Sequence, residues 1–444
     1  MSIEHQRYDL LHNSDVRSPE HLVVDDHLCP HAHAVGEPQR PLEGIRLLDL
    51  TRVMSGPFAS VMLSDLGAEV TKVESSGGGD ILRHIGGHSR GGSNAIFLSL
   101  NRGKRSLSLD FRSPGATAAL ADMAASADVF LENFRPGVCD AMGLGHEVLR
   151  ARNPRLVYVS ISGFGPDSPA RDEPAYDTII QGRTGIVARQ RRGERGKPDL
   201  VRSYVADKAA GFFATQAVLA ALYARERTGD GAYVSVPMFD AALYYAWSDG
   251  MTDQTYLGDD VRPGTLFPLS QTLTQSSDGF LTHLALSDRE RAGVARAVGR
   301  ADLNEDPRFA TAGSWSRPVN LSVWATAVRE GFAVMTTEEA ILRLRAEDVP
   351  CSPVAEACDV LADEHVRGAD VFDVWTDARA GEVRQPRLPV RFDNVAIPVG
   401  HTVPARGDHS VEVLRAYGID DDRIAALIAA GSVEQSSLEQ SLVG

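Results

Sequence analysis

The stretch from Leu42 to Glu74 constrains the fold more than any other part of the chain, because it reads as strand, turn, helix and strand in immediate succession. Ile45-Arg46-Leu47-Leu48-Asp49-Leu50 is a short apolar run, Thr51-Arg52-Val53-Met54-Ser55-Gly56-Pro57 is a turn, and Phe58 to Leu66 is an apolar helix stopped by Gly67. Ala68 to Glu74 then returns as a second strand. Two strands joined through a helix form the crossover unit from which open parallel sheets are built. The alternation continues with a strand over 106–109, a helix over 115–127, a strand over 128–131, a helix near Val148 and a strand over 156–161. The first half is therefore expected to be an α/β domain, whose ligands gather at the carboxyl ends of its strands.

After about residue 245 the texture changes to a Gly/Pro/Asp-bearing connection. Ser276 to Thr282 then reads as a turn into a strand. Residues 285–350 are expected to be mainly helical, with Thr336-Thr337-Glu338-Glu339 as a capped start. The region beyond Pro350 is expected to be loop-rich, ending in a helix over about 421–430. This second half suggests a smaller α+β domain. Residues 1–41 lack a sustained period and read as an arm.

Several functions are disfavoured by the residues themselves. A net charge of −15 argues against unspecific nucleic-acid binding, which needs clustered Lys and Arg. No apolar run approaches the roughly 18–20 residues that cross a bilayer. The polar, His-rich start has no apolar core of a signal peptide, so a cytoplasmic protein with no membrane or nucleic-acid partner is expected. Four cysteines without a CxxC pair suggest reduced thiols. Cys29, His31 and His33 match no zinc spacing, and no metal site is expected. The turn after the first strand is not GxGxxG, and Gly77-Gly78-Gly79 lacks the Lys-Ser/Thr of a P-loop. Lys104 and Arg105 could meet a phosphate or simply be surface charge.

Asp207 stands just before Ala209 to Leu222, whose apolar residues fit a helix ending near Gly229. Asp is a favoured N-cap, and a carboxylate in the positive field of a helix start should stay ionised at neutral pH. Local sequence leaves open whether Asp207 is a cap or a reactive carboxylate. Asp177, before Thr178-Ile179-Ile180, reads locally as a helix N-cap.

Taken together, the ordered motifs from Leu42 to Val433 resemble the class III CoA-transferases of the CaiB/BaiF family. The resemblance is carried by Leu42-Glu43-Gly44 through Val53, Gly56-Pro57-Phe58-Ala59, Leu66-Gly67-Ala68-Glu69-Val70, Lys72-Val73-Glu74, and Asn101 with Lys104-Arg105-Ser106. It continues in Glu132-Asn133-Phe134-Arg135-Pro136-Gly137, Ser162-Gly163-Phe164-Gly165, Pro174-Ala175-Tyr176-Asp177 and Ala206-Asp207 with Ala210-Gly211. Asp306-Pro307-Arg308-Phe309, Val349-Pro350-Cys351-Ser352-Pro353-Val354 and Gly407-Asp408-His409-Ser410 complete it.

This resemblance implies a Rossmann-like large domain over 42–245, completed by 395–444, with linkers and a small domain over 246–394. It also implies an interlocked homodimer. It implies CoA transfer from an acyl-CoA to a small carboxylic acid through an aspartyl-CoA thioester at Asp207, with CoA as substrate and no permanently bound cofactor. By motif position Val53, Met54 and Ser55 would flank the reactive arm of CoA. Leu109, Asp110, Arg112, Asn133, Phe134 and Arg135 would flank its nucleotide, with the two arginines meeting phosphate, and Pro174, Ala175 and Tyr176 its pantetheine. Asp177 would be a secondary acid/base, the centre of an alternative reading as an α-methylacyl-CoA racemase-type epimerase. A silent CoA-binding protein is a further alternative. Ser75 and Ala141 stand where some members carry phosphate-binding arginines, and 259–264 and 268–271 occupy the region of a glycine lid.

Overall fold

The computed structural model describes residues 40–191, 196–261, 273–309 and 318–436. Most of the N-terminal arm, Cys29, His31, His33, and residues 262–264 and 268–271 of the lid region lie outside the described residues.

The large domain follows the expected alternation. In chain order it runs β1 (Arg46–Asp49), α1 (Ser55–Asp65), β2 (Glu69–Ser75), α2 (Ala95–Asn101), β3 (Arg105–Leu109), α3 (Pro114–Ala124), β4 (Val129–Glu132), α4 (His146–Arg152), β5 (Val157–Ser162), α5 (Asp177–Arg183), α6 (Val205–Thr228), β6 (Tyr233–Pro237) and α7 (Met238–Gly250). Far along the chain, α11 (Ser410–Ala416), α12 (Asp421–Ala429) and β12 (Val433–Glu434) return to it. The strands form one seven-stranded sheet in the order β12-β3-β2-β1-β4-β5-β6. All neighbours are parallel except β12, which lies antiparallel on β3 with Val433 opposite Leu109. The chain leaves β1 towards β2 on one side and later towards β4 on the other. That reversal opens a crevice at the carboxyl edge between β1 and β4, where doubly wound sheets bind ligands.

The strands are apolar on both faces because both are covered. Leu47, Val129, Leu131, Val157 and Val159 pack with α1, α5, α6 and α7. Leu48, Phe130, Leu107 and Tyr158 point the other way, towards α3, α4, α11 and α12. Helix α6 is long and apolar enough, by length and composition, to cross a membrane, which differs from the sequence reading. Its row of small residues, Ala206, Ala210, Gly211 and Ala214, is instead buried against the sheet and α1. Gly211 makes that contact possible, since a Cβ there would stand 2.8 Å from both the Ser55 carbonyl oxygen and Phe58 Cδ1.

The smaller part is α+β. Strands β7 (Thr274–Gln275), β8 (Phe280–His283) and β9 (Cys351–Pro353) make an antiparallel sheet in the order β9-β8-β7. Helices α8 (Asp288–Ala297), α9 (Pro318–Ala333) and α10 (Thr337–Ala346) enclose a core around Leu281, Phe332 and Leu344. Thr336 caps α10, its hydroxyl accepting the Glu339 N–H at 3.2 Å. The stretch after Pro350, expected to be loop, contains a hairpin of β10 (Phe372–Asp377) and β11 (Gly381–Pro386). Its Trp375 and Ala380 share a core with Met54 and Phe97, so the second half of the chain closes on the turn after β1.

Candidate active site

That turn is held in a conformation a β-branched residue rarely adopts. Val53 has φ of 67°, in the left-handed region, which costs on the order of 1–3 kcal/mol and persists only when neighbours over-determine it. Three side chains do so. Lys72 Nζ donates to the Thr51 carbonyl at 2.8 Å. Asn133 brackets Arg52, accepting its N–H at 2.9 Å and donating to its carbonyl at 2.8 Å. Both carboxylate oxygens of Asp80 accept the Val53 N–H at 3.2 Å. Gly56 completes the turn, because a Cβ there would collide with the Thr51 side chain at 2.2 Å.

Beneath the turn lies a buried ionic network. Lys72 pairs with Asp80 at 3.2 Å and Lys104 with Asp49 at 3.0 Å, all four side chains fully excluded from solvent. Buried pairs survive only when further hydrogen bonds satisfy them. Lys104 Nζ also donates to Ser60 Oγ at 2.8 Å and Asn101 Oδ1 at 2.9 Å, and the Thr51 hydroxyl donates to Asp49 at 2.5 Å. Burial pulls the Lys104 ammonium down to about 8. Burial also opposes the charge on Lys72, but Asp80, Asp49 and Glu74 outweigh it and leave its pKa raised. Lys104 is thus neither surface charge nor a phosphate ligand. Arg105 is half-exposed and lies 3.5 Å from Glu412. Glu74 holds Arg83 through two bonds of 2.8 and 2.6 Å. Sequence reasoning assigned no role to Lys72, Glu74, Asp80 or Arg83. The available signal was two charges, Lys72 and Glu74, on one face of a strand whose sheet is buried on both sides.

Asp207 is not the cap of α6. It is the third residue of the helix, whose preceding residue Tyr204 makes no side-chain cap. The capping is done by Asp177 from α5: its Oδ2 accepts the N–H groups of Ala206 at 2.8 Å and Asp207 at 3.1 Å, while Oδ1 accepts from Gln181 Nε2 at 2.5 Å. Nor does Asp177 cap its own helix, since it is already inside α5. The helix field that should hold Asp207 ionised is thus spent on a second carboxylate. Burial and the Asp177 charge together raise the Asp207 pKa to about 7, against the hydroxyl and backbone N–H of Ser55, which favour the anion. The expectation of a carboxylate firmly ionised at neutral pH is corrected on that ground.

The other sequence-derived residues form a strip along the carboxyl edge. Phe111 and Phe134 meet edge to face at 6.2 Å, linking the loops after β3 and β4, and Arg52 lies over Phe134 at 6.0 Å. Arg112 is 88% exposed and bonded to Asp110, and Arg135 is exposed. Leu109 is fully buried with its carbonyl accepting from Ser76, which leaves its side chain no access to a ligand. Pro174 and Tyr176 are exposed ahead of Asp177, and Ala175 packs close to Gly163. Met54 is buried in the core with Trp375. The structure therefore brings Val53, Ser55, Asn133, Asp177 and Asp207 to one end of the sheet, with Asp110 and Arg112 flanking. Among the described residues no acidic, His or Cys cluster is suited to a metal.

Comparison with known proteins places the chain in a family. A sequence model of CoA-transferase family III matches residues 42–410. An acyl-CoA transferase of Fusarium pseudograminearum is 32% identical over 401 residues, covering 87% of each chain. The human succinyl-CoA:glutarate CoA-transferase is 29% identical over 403 residues, covering 89% of this chain and 90% of the relative. A crystal structure of a CaiB/BaiF family protein from Brucella suis superposes with a TM-score of 0.74 at 29% identity, covering 85% of this chain and 100% of the other.

Proposed function

The chain belongs to CoA-transferase family III and is an enzyme of the CoA-transferase type, and from that premise we propose that Asp207 carries the transferred group. The Asp207 carboxylate attacks the thioester carbonyl of an acyl-CoA and expels CoA thiolate, leaving a mixed anhydride. The thiolate then attacks the Asp207 acyl carbon and releases the donor acid, leaving an aspartyl-CoA thioester. An acceptor carboxylate attacks that thioester, and the thiolate released again takes the acceptor acyl group and frees Asp207. Each step exchanges groups of similar reactivity, which is why a carboxylate suits the position. The Ser55 N–H and hydroxyl are the donors for oxyanions formed at Asp207. CoA would lie along the strip after β1, β3 and β4, with Val53 and Ser55 at the thioester end and Arg112 and Arg135 at the phosphates.

The observation that carries this reading is Asp207 itself: a buried acid beside the Ser55 donors, with its pKa raised to about 7, where ionisation is poised for chemistry. Transfer is favoured over epimerisation because both oxygens of Asp177 already accept hydrogen bonds, which leaves that group poorly placed to shuttle an α-proton. Incubation with acyl-CoA and hydroxylamine should give a hydroxamate at Asp207, detected by mass spectrometry. Normal turnover by Asp207→Ala would refute the proposal, and CoA binding without exchange across a panel of acids would favour a silent binding protein.

The interlocked homodimer is part of the same reading. The observation in its favour is that large apolar side chains in and after α7 are left open, Tyr244 being 76%, Tyr256 73% and Leu257 94% exposed. Light scattering that gave the mass of one chain would exclude it. A reducing cytoplasmic setting suits the free thiols of Cys139, Cys351 and Cys358.

A further inference from the structure

Asp80 has no place in the chemistry above, yet it is fully buried and its carboxylate gathers bonds from three segments of chain. It accepts the Val53 N–H on both oxygens at 3.2 Å, the Leu82 N–H at 3.1 Å, and the Lys72 ammonium at 3.2 Å. The first of these is the informative one. Val53 is the residue forced into a left-handed backbone, which a β-branched residue keeps only while its neighbours hold it, and Asp80 is the neighbour that takes its N–H. Two residues further on, Ser55 begins α1 and turns its N–H and hydroxyl towards Asp207. The path from Asp80 to the nucleophile is therefore short: a carboxylate, a strained peptide and the first residue of a helix.

We propose that Asp80 is a positioning residue for acyl transfer, pinning the Val53 peptide in its left-handed form so that Ser55 stays aimed at Asp207. The proposal rests on Asp207 being the nucleophile. Lys72 takes part by fixing both the Asp80 carboxylate and the Thr51 carbonyl, so that the peptides on either side of Arg52 are held from β2 and the loop after it. Loss of the pin lets the Arg52–Val53 peptide rotate and the start of α1 shift with it, and a small misplacement of groups around a reacting atom costs about tenfold to a hundredfold in rate.

The sign of a pH shift separates positioning from a direct charge effect. The groups acting on Asp207 are Asp177, which raises its pKa, and Ser55, which lowers it. Asp80→Asn removes a negative charge, and a direct effect would move the pH midpoint of Asp207 acylation down. Loss of the Ser55 donors moves it up. The experiment measures the rate of hydroxylamine-trapped acylation with acetyl-CoA against pH in the wild type, in Asp80→Asn, and in Asp80→Asn with Lys72→Met, which removes both members of the pair and keeps the buried charges balanced. Asp80→Asn with Val53→Gly tests rescue, because glycine takes positive φ without strain. The expected result is a tenfold to hundredfold slower acylation with a raised midpoint in Asp80→Asn and in Asp80→Asn with Lys72→Met, and recovery of several-fold on adding Val53→Gly to Asp80→Asn. Unchanged rates with an unchanged midpoint, a lowered midpoint, or slowing that Val53→Gly does not relieve overturns the proposal. A wild type that gives no adduct at Asp207 overturns the nucleophile on which it rests, a distinct result.

Discussion

Replacing Asp207 by Asn tests the electrostatics of the site through stability alone, without any substrate. The carboxyl ordinarily titrates near 3.8 and is raised to about 7 by burial and by Asp177. Below about pH 3.8 it is neutral in both folded and unfolded chains and has no effect. As pH rises from there to about 7, the unfolded chain loses the proton while the folded one retains it, so stability falls. The shift corresponds to about 4 kcal/mol when complete, at 1.36 kcal/mol per pH unit. Less than half of that loss is present by pH 5, and nearly all of it by pH 8. Asn has nearly the same shape and does not titrate, so its advantage over Asp should grow by about 3 kcal/mol between pH 5 and pH 8. For a chain of 444 residues unfolding as a unit, an unfolding entropy of about 2.1 cal/mol/K per residue makes this a Tm difference that widens by about 3 °C. Paired thermal melts of the two proteins at both pH values provide the measurement, since other titrating groups cancel in the difference. An anionic cap has a lowered pKa and produces the opposite sign, with Asn losing ground as pH rises. A flat or reversed difference would refute the reading of Asp207 as a buried acid facing a second carboxylate.

Three further outcomes follow from the same geometry. The first acylation step should rise with pH around a midpoint of about 7, and Asp177→Asn should lower that midpoint by removing the like charge while its amide oxygen still accepts a helix N–H; rapid-quench acylation across about pH 5 to 9 measures both. Gly211→Ala should force α1 from α6, because its Cβ would lie 2.8 Å from the Ser55 carbonyl and Phe58. It should cost about 1–3 kcal/mol of stability together with a fall in kcat, read by melting and steady-state turnover. Arg112→Ala should leave the melting temperature unchanged but raise KM for the CoA thioester about tenfold with little change in kcat, an effect that weakens at high salt; an unmoved KM removes Arg112 from the phosphate site.

The sheet was legible in the sequence because its causes are local. Leu47 and Leu48 face opposite cores, Val129 and Leu131 enclose Phe130, and a period of two fixes which residues share a face. The hairpin over 372–386 was not legible. Its exposed positions carry little apolar alternation, and its register depends on packing Trp375 and Ala380 beside Met54, which is distant in sequence. The network under the turn was missed for the opposite reason: Lys72, Asp80 and Lys104 look like surface charge until the fold removes water from them.

Asp207 gives the sharpest instance of a local rule overridden by a distant residue. Its sequence context is that of a helix cap, yet the capping bonds go to Asp177, 29 and 30 residues earlier in the chain. A cap is stabilised by becoming more acidic and correspondingly less basic. On the proposed mechanism a nucleophile needs the reverse, a carboxylate basic enough to attack a thioester yet ionised in a useful fraction at neutral pH. One carboxylate in the helix field cannot meet both demands. Two can, when the first takes the helix N–H groups and leaves the second buried, repelled and opposed by no more than the Ser55 donors. On that mechanism, dividing the roles between Asp177 and Asp207 turns a feature that ordinarily stabilises a helix into one that would raise the reactivity of its neighbour.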